Sequence, residues 1–318
     1  MRRVTRSASL GKITSRGISF IRESLIGELF TNKRFTLGFA IFMSLVLLGY
    51  IGSLFAYPDP WDISIYNPTK TNQCIEELRF LPPSPEHLLG TDQGCRDIYT
   101  WLVVGLKNSL WIAALAGLIS TLVAMILGLA AGYKGGLLDD IINFSANFLI
   151  VIPMFIVLLM VVGYVPPQAR TTMLVAVVIG LLSWPGPTRV VRSMVMQNKA
   201  SDYVDVAKLM NFTSTEIMIK EILPNISSYI FLIYIQSFSA AIFAEVGIGA
   251  IGYGPFDAVT LGRAFNNMIG GGAVTIGAWW WFVPLGLVVV FLSYSLLLIN
   301  LGLQHVFNPR LKLTVYAV

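Results

Sequence analysis

Residues 201–224, SDYVDVAKLMNFTSTEIMIKEILP, form a charged island between long apolar segments. Tyr203, Val206, Ala207 and Met210 recur at the i, i+3, i+4, i+7 spacing of one helical face, with Asp202, Asp205 and Lys208 on the other, which predicts a short amphipathic helix. Ser201 stands at the N-cap position, and Asp202 and Asp205 place negative charge at the positive end of the helix dipole. Asn211, second only to glycine in tolerating the left-handed conformation, is expected to end the helix. Thr213 followed by Glu216 has the spacing of a capping box and opens a second helix, which Pro224 is expected to keep from running unbroken into the apolar stretch beyond. The unit is helix, turn, helix, membrane span.

The rest of the chain fits that last element. Of 318 residues, 55% are hydrophobic and only 12% charged, with a mean hydropathy of +0.72, values an ordinary soluble surface excludes. Five basic residues crowd positions 2–16, but no apolar run follows until about residue 36, so a cleaved signal peptide is not expected. The net charge of +5 does not point to nucleic acid, because the basic residues flank apolar segments instead of forming a basic domain.

Six segments are long and apolar enough to cross a bilayer: 36–57, 110–131, 141–162, 173–191, 226–248 and 280–303. The expected fold class is therefore an all-α membrane protein with six transmembrane helices. With the N-terminus inside, all but six of the 22 Lys and Arg residues fall on the cytoplasmic side, the outer ones being Lys70, Arg79, Arg96, Lys107, Arg170 and Arg263. This is the positive-inside bias, and it places residues 201–224 in the cytoplasm. Residues 1–35 read as a cytoplasmic tail with a surface helix at 18–30, residues 36–57 as the first span and 58–109 as an outer loop. Residues 110–306 read as the membrane core and 307–318 as a cytoplasmic tail.

Little in the chain points to catalysis. It contains no Gly-x-x-x-x-Gly-Lys-Ser/Thr phosphate-binding loop, so ATP hydrolysis would have to come from a partner. His87 and His305, the only histidines, fall on opposite sides of the membrane, so no metal site is expected. Glu245 lies inside an apolar span, which marks it either as part of a translocation path or as a hydrogen-bonding post between helices. Trp279, Trp280, Trp281 and Phe282 suit an interfacial aromatic belt, and Pro153, Pro185 and Pro187 are expected to kink or break helices. In the outer loop, Asp92, Arg96 and Asp97 are placed to pair locally and pin the loop to the membrane domain. Cys74 and Cys95, the only cysteines, are either two free thiols or a disulfide that closes this loop, for which chain entropy gives roughly 3 kcal/mol.

Asp205-Val206-Ala207, Asn211 and Glu221-Ile222-Leu223-Pro224 resemble the E-A-A-x-x-x-G-(x)9-I-x-L-P signature of permease subunits in bacterial and archaeal ABC importers, with Val206, Asn211 and Glu221 as departures. Residues 82–97, PPSPEHLLGTDQGCRD, are similar to a stretch of the C-type permease in the dipeptide, oligopeptide and nickel importer family, with Cys95 in place of a glycine. Further matches are Trp184, Arg189, Arg192, Glu245, Gly252, Gly254, Trp279, Trp280, Pro284 and the Asn308-Pro309-Arg310 run.

The resemblance implies the type I ABC importer permease fold and a non-catalytic subunit in the plasma membrane of a prokaryote, with both termini cytoplasmic. It implies a heterodimer with a homologous permease, two cytoplasmic ATPases that bind ATP and Mg, an extracytoplasmic substrate-binding protein, and no cofactor in this chain. Residues 201–224 become the coupling segment, with Tyr203, Asp205, Val206, Ala207, Met210 and Asn211 meeting the ATPase. The cargo is expected to be an oligopeptide; oligosaccharides of the cello-oligosaccharide kind and nickel stay open, as does a membrane scaffold that merely holds a soluble partner.

Overall fold

The computed structural model describes Gly27 and residues 29–307; the expected surface helix at 18–30 lies almost wholly outside them, as do Asn308, Pro309 and Arg310. Among the described residues the regular secondary structure is helical, with one isolated bridge between Thr91 and Asp97 in the irregular segment that joins the first two membrane helices.

Among the described residues, the helices that build the bundle follow in order. Helix α1 (Lys33–Tyr50) starts at Asn32, whose side-chain oxygen accepts from the backbone N–H groups of Arg34 and Phe35 at 3.0 and 3.3 Å. Helix α2 (Ile98–Lys134) is capped by Asp97, which accepts from the Thr100 N–H at 2.7 Å, and ends at Gly135 with φ 70°. At 1.5 Å per residue it is about 55 Å long, well beyond a hydrocarbon core of about 30 Å. Next come α3 (Gly136–Val151), α4 (Met154–Gly163), α5 (Thr172–Leu182), α6 (Pro185–Lys199) and α7 (Asp202–Leu209). Helix α8 runs from Ser214 to Tyr253, followed by α9 (Leu261–Gly270) and α10 (Trp279–Phe307).

The outer loop is shorter than expected. Residues 98–109, which the polar flank ending at Lys107 and Asn108 assigns to that loop, form the first turns of α2. Neighbouring elements meet these polar groups: Asn108 donates to the Val259 carbonyl at 2.7 Å, and the Lys107 ammonium lies 5.7 Å from the centre of the Tyr50 ring. A polar side chain satisfied by a packed partner costs a helix little.

Four helices are long and apolar enough to cross a membrane, and two bent pairs supply two more crossings if each pair is taken as one. The stretch 141–162 bends by 86° between α3 and α4 at Pro153, and 173–191 by 48° between α5 and α6 ahead of Pro185. Proline removes an N–H and crowds the preceding carbonyls, so these breaks sit where the sequence put them. Pro224 behaves differently, and the break expected there does not occur. Residues Ile217–Ile222 form a π-helical turn in which the Leu223 N–H bonds the Met218 carbonyl five residues back, and the wider turn carries α8 through the proline.

Helix α2 is the axis of the fold: α1, α5, α6, α8 and α9 all pack on it, while α10 pairs with α1. Lipid is as apolar as leucine, so close packing rather than hydrophobic burial must hold such helices together. Gly128 and Gly132 of α2 supply it. A Cβ at Gly128 would fall 2.6 Å from the Val191 Cβ, and one at Gly132 2.8 Å from the Arg192 carbonyl, so α6 lies directly against the α2 backbone. Outward-facing Leu47, Ile126, Phe144, Phe148, Phe243 and Leu297 are exposed, as a bilayer-facing surface requires. The aromatic belt is only partly as expected: Trp279 is exposed, but Trp281 is buried against Phe80 and Gly271 and belongs to the core.

Candidate functional site

Helix α6 delivers the chain to α7 at the Lys134 end of α2. The Lys199 ammonium donates to the Tyr133 carbonyl at 2.6 Å, and Asp139 of α3 holds Arg192 of α6 through two bonds of 2.5 and 2.6 Å. Ser201 occupies the N-cap position with extended backbone, although its hydroxyl makes no capping bond.

The far end of α7 closes as its sequence predicts. Asn211 is left-handed at φ 60°, the Asn211 N–H bonds the Lys208 carbonyl at 3.0 Å, and the Phe212 N–H bonds the Ala207 carbonyl at 3.1 Å. This pair of bonds is a Schellman motif. The capping box follows at once: the Thr213 N–H donates to Glu216 at 3.0 Å and the Glu216 N–H to the Thr213 hydroxyl at 3.3 Å. The turn between the two helices is therefore held by these four hydrogen bonds, which span residues 207 to 216.

The face expected to be a single apolar stripe is divided. Ala207 is only 4% exposed and Val204 wholly buried; they pack with Leu129, Tyr133, Val195, Ile217 and Ile222 inside the chain. Tyr203 is half-buried and donates its hydroxyl proton to Asn198 at 2.7 Å. Val206 and Met210, by contrast, are 54% and 64% exposed, and Leu209 between them is 82% exposed. An eight-residue helix packed against a bundle has an inner and an outer apolar face, and the stripe Tyr203, Val206, Ala207, Met210 includes members of both. Leu209 was missed, although 206, 209 and 210 also follow i, i+3, i+4 spacing. Asp205 and Lys208 flank the outer face and pair with each other at 2.7 Å, a bond that raises the Lys208 pKa.

Glu245 of α8 is completely buried inside the chain. Its carboxylate accepts from the Ser109 hydroxyl of α2 at 2.6 Å, and that hydroxyl accepts from the Leu261 N–H at the start of α9 at 2.9 Å. Gly262 lets α9 approach: a Cβ there would come 2.7 Å from the Glu245 carbonyl oxygen and 3.0 Å from its carboxylate. The residue thus ties three helices together.

At the Ile98 end of α2, Cys74 and Cys95 are joined in a disulfide with a Cα–Cα distance of 5.4 Å. Cys95 is buried with φ 62°, a conformation suited to the glycine that the resembling family has there. Asp92 accepts from the N–H groups of Gly94 and Arg96 at 2.7 and 2.8 Å, lies 3.9 Å from the Arg96 guanidinium and is also bonded by Asn267 of α9. Asp97 pairs with His87 at 2.9 Å rather than with Arg96. The loop is pinned to the bundle as expected, by a different set of partners.

Residues 124–313 match the family of binding-protein-dependent transport system inner membrane components, a segment that contains α6, the whole of 201–224 and α8 to α10. The chain belongs to this family. It is 31% identical over 237 residues to an oligopeptide transport system permease protein of Lactococcus lactis subsp. cremoris (strain SK11), covering 74% of this chain and 80% of the relative. A dipeptide transport system permease protein of Bacillus subtilis (strain 168) is 32% identical over 73% of this chain and 71% of its own length. An oligopeptide transport system permease protein of the same organism is 26% identical over 95% and 93%.

This transport-system component is the membrane-embedded permease subunit of an ABC importer. Its disulfide loop precedes the matched segment, and its exposed Val206, Leu209 and Met210 lie within it. The two regions sit at opposite ends of α2, which joins them as one continuous helix.

Proposed function

We propose that this permease subunit crosses the plasma membrane of a prokaryote six times with both termini in the cytoplasm, and that it carries peptides. It pairs with a homologous permease, and the solute passes between the two. Two cytoplasmic ATPases bind ATP and Mg, and an extracytoplasmic binding protein delivers the solute; this chain performs no catalysis. Val206, Leu209 and Met210, flanked by Asp205, enter an apolar groove of one ATPase. Tyr203, Ala207 and Asn211 act behind that surface: they fix the short helix to α2 and α6, so that movement of the ATPase tilts the bundle rather than bending a loop.

The observation that carries this reading is the split of α7 into a buried inner face and an exposed apolar outer face within the family-matched segment. A solvent-facing leucine, valine and methionine on one turn of a cytoplasmic helix are best explained by a partner. Peptide cargo is supported by the names of the relatives, and the all-helical bundle with two bent pairs supports six crossings. Glu245 acts as a hydrogen-bonded post between α2, α8 and α9, a role its complete burial favours over contact with passing solute.

The test is reconstitution of the complete importer in liposomes. ATP hydrolysis and uptake stimulated by a peptide-loaded binding protein are expected. Stimulation only by an oligosaccharide-loaded binding protein would overturn the cargo, and absence of ATP-driven uptake would leave a scaffold instead of a transporter.

A further inference from the structure

At the loop end of the bundle, the α4–α5 connection, the end of α8 and the start of α9 enclose a cavity of about 190 Å³, far larger than a single water needs. Arg170, Gly252, Phe256, Arg263 and Asn266 are among the residues that line it. Arg170 is only 9% exposed; its Nε donates to the Val165 carbonyl at 2.9 Å, and its guanidinium lies 4.9 Å from the centre of the Tyr253 ring. One Nη of Arg263 donates to the carbonyls of Pro255 and Phe256, both at 3.1 Å, and its guanidinium sits 4.3 Å from the centre of the Trp61 ring. A guanidinium carries five N–H donors, so each arginine retains donors that these bonds leave uncommitted.

Neither arginine forms an ion pair among the described residues. Asp257 is close enough to act on Arg263, but its carboxylate accepts from the Thr172 N–H at 2.9 and 3.1 Å and from the Thr172 hydroxyl at 3.3 Å. Arg96 adds a further positive charge nearby, held by Asp92. Burial, and after it Arg96, lowers the Arg263 pKa, with Asp257 opposing. Arg170 is buried and Arg263 half-buried; cations drawn from water without an anion are costly, and the planar fork of arginine suits a carboxylate. The backbone is also irregular here: Gly249–Tyr253 is a π-helical turn with Gly252 at φ 95°, a departure that recurs at functional sites.

We propose that this cavity is an entry subsite for the terminal carboxylate of the transported peptide, with Arg170 and Arg263 supplying its donors. The subsite rests on the peptide cargo proposed above. It lies at the end of α2 that carries the disulfide loop, since Asp92 of that loop is bonded by Asn267 and Trp61, in the segment leading into the loop, stacks with Arg263. A peptide handed over at that end meets the two arginines before it enters the bundle.

Uptake of trialanine and of trialanine amide by the complete importer, with its binding protein unchanged, tests the subsite. Arg170→Gln and Arg263→Gln should each lower trialanine uptake about tenfold relative to the amide, compared with the ratio for the unaltered importer. An unchanged ratio overturns the subsite, whether both peptides are taken up normally or both are lowered to the same degree. If the unaltered importer takes up neither peptide, the peptide reading itself fails and the carboxylate subsite with it.

A second variant separates the sources of the anion. Phe256 is exposed at the cavity, and because Cys74 and Cys95 are bonded, Phe256→Cys introduces the one free thiol of this chain. An anionic methanethiosulfonate should label it about tenfold faster than a cationic one, and Arg263→Gln in the same background should remove that preference. Equal rates overturn an anion site. Protection by trialanine but not by its amide supports the proposal, and protection that follows the phosphatidylglycerol content of the vesicles overturns it in favour of a lipid headgroup.

Discussion

Leu209 and Ala207 stand two positions apart on one short helix and face opposite ways, one open to solvent and the other packed on α2 and α6. Their substitutions should therefore fail differently. Leu209→Asp removes an exposed apolar side chain, so folding should change by no more than about 0.5 kcal/mol. Uptake should fall by about tenfold or more, because the charge would enter the ATPase groove. Normal uptake together with normal binding-protein-stimulated hydrolysis would remove the outer face of α7 from the mechanism. Ala207→Arg forces a charged side chain into the chain's own interior and should lower the melting temperature of the purified subunit at a cost of about 2–3 kcal/mol, whether or not an ATPase is present. Glu245→Ala should likewise destabilise by about 2–4 kcal/mol, by stranding the Ser109 hydroxyl and opening a cavity between three helices. Unaltered thermal stability with selectively altered uptake would instead return Glu245 to the translocation path.

Helix α2 works as a strut because its glycines let α6 lie against its backbone. Gly132→Leu would drive a side chain into the Arg192 carbonyl and Val195, prising the coupling end of the bundle apart at a cost of about 1–3 kcal/mol. Uptake should drop more steeply than stability, since α6 is the only connection from the α5 break to the coupling helix. Equal, small losses in both would mean that the strut is not the route of coupling. The loop at the other end of α2 depends on a covalent link. Alkylation of freshly purified protein without reductant should leave both cysteines unmodified by intact mass, and two alkylated cysteines would refute the disulfide. Opening it by Cys95→Ser should destabilise the loop by roughly 3 kcal/mol and speed its cleavage by externally added protease.

At the scale of the whole subunit the two ends of α2 differ: a disulfide-closed loop at the Ile98 end, and the exposed Val206, Leu209 and Met210 of α7 at the Lys134 end. The orientation proposed here makes a simple prediction. In intact spheroplasts, a cysteine introduced at exposed Leu88 should react with a membrane-impermeant thiol reagent, and one at Leu209 should react only after permeabilisation. The reverse pattern would invert the molecule and detach α7 from any cytoplasmic ATPase. Disulfides persist in oxidising compartments, so the Cys74–Cys95 bond and the positive-inside bias point to the same side for the loop by independent physics.

Local chemistry made much of this legible in the chain alone. Asn211, the Thr213–Glu216 box, and the breaks at Pro153 and Pro185 are decided by hydrogen bonds and steric clashes within a few residues, and each sits where the sequence placed it. Hydropathy and charge likewise marked the apolar segments, because lipid leaves backbone few alternatives to a helix. What needed tertiary structure was every question of who faces whom. Residues 98–109 became helix only because the loop and α9 satisfy their polar groups, and Pro224 was absorbed only because a π-helical turn opened upstream of it. Which apolar stripe of α7 is covered, which of its two readings Glu245 takes, and the convergence of Arg170 and Arg263, 93 positions apart, on one cavity were likewise decided by packing alone. Spacing tells which side chains share a stripe on one helix; only packing between helices decides which stripe is covered.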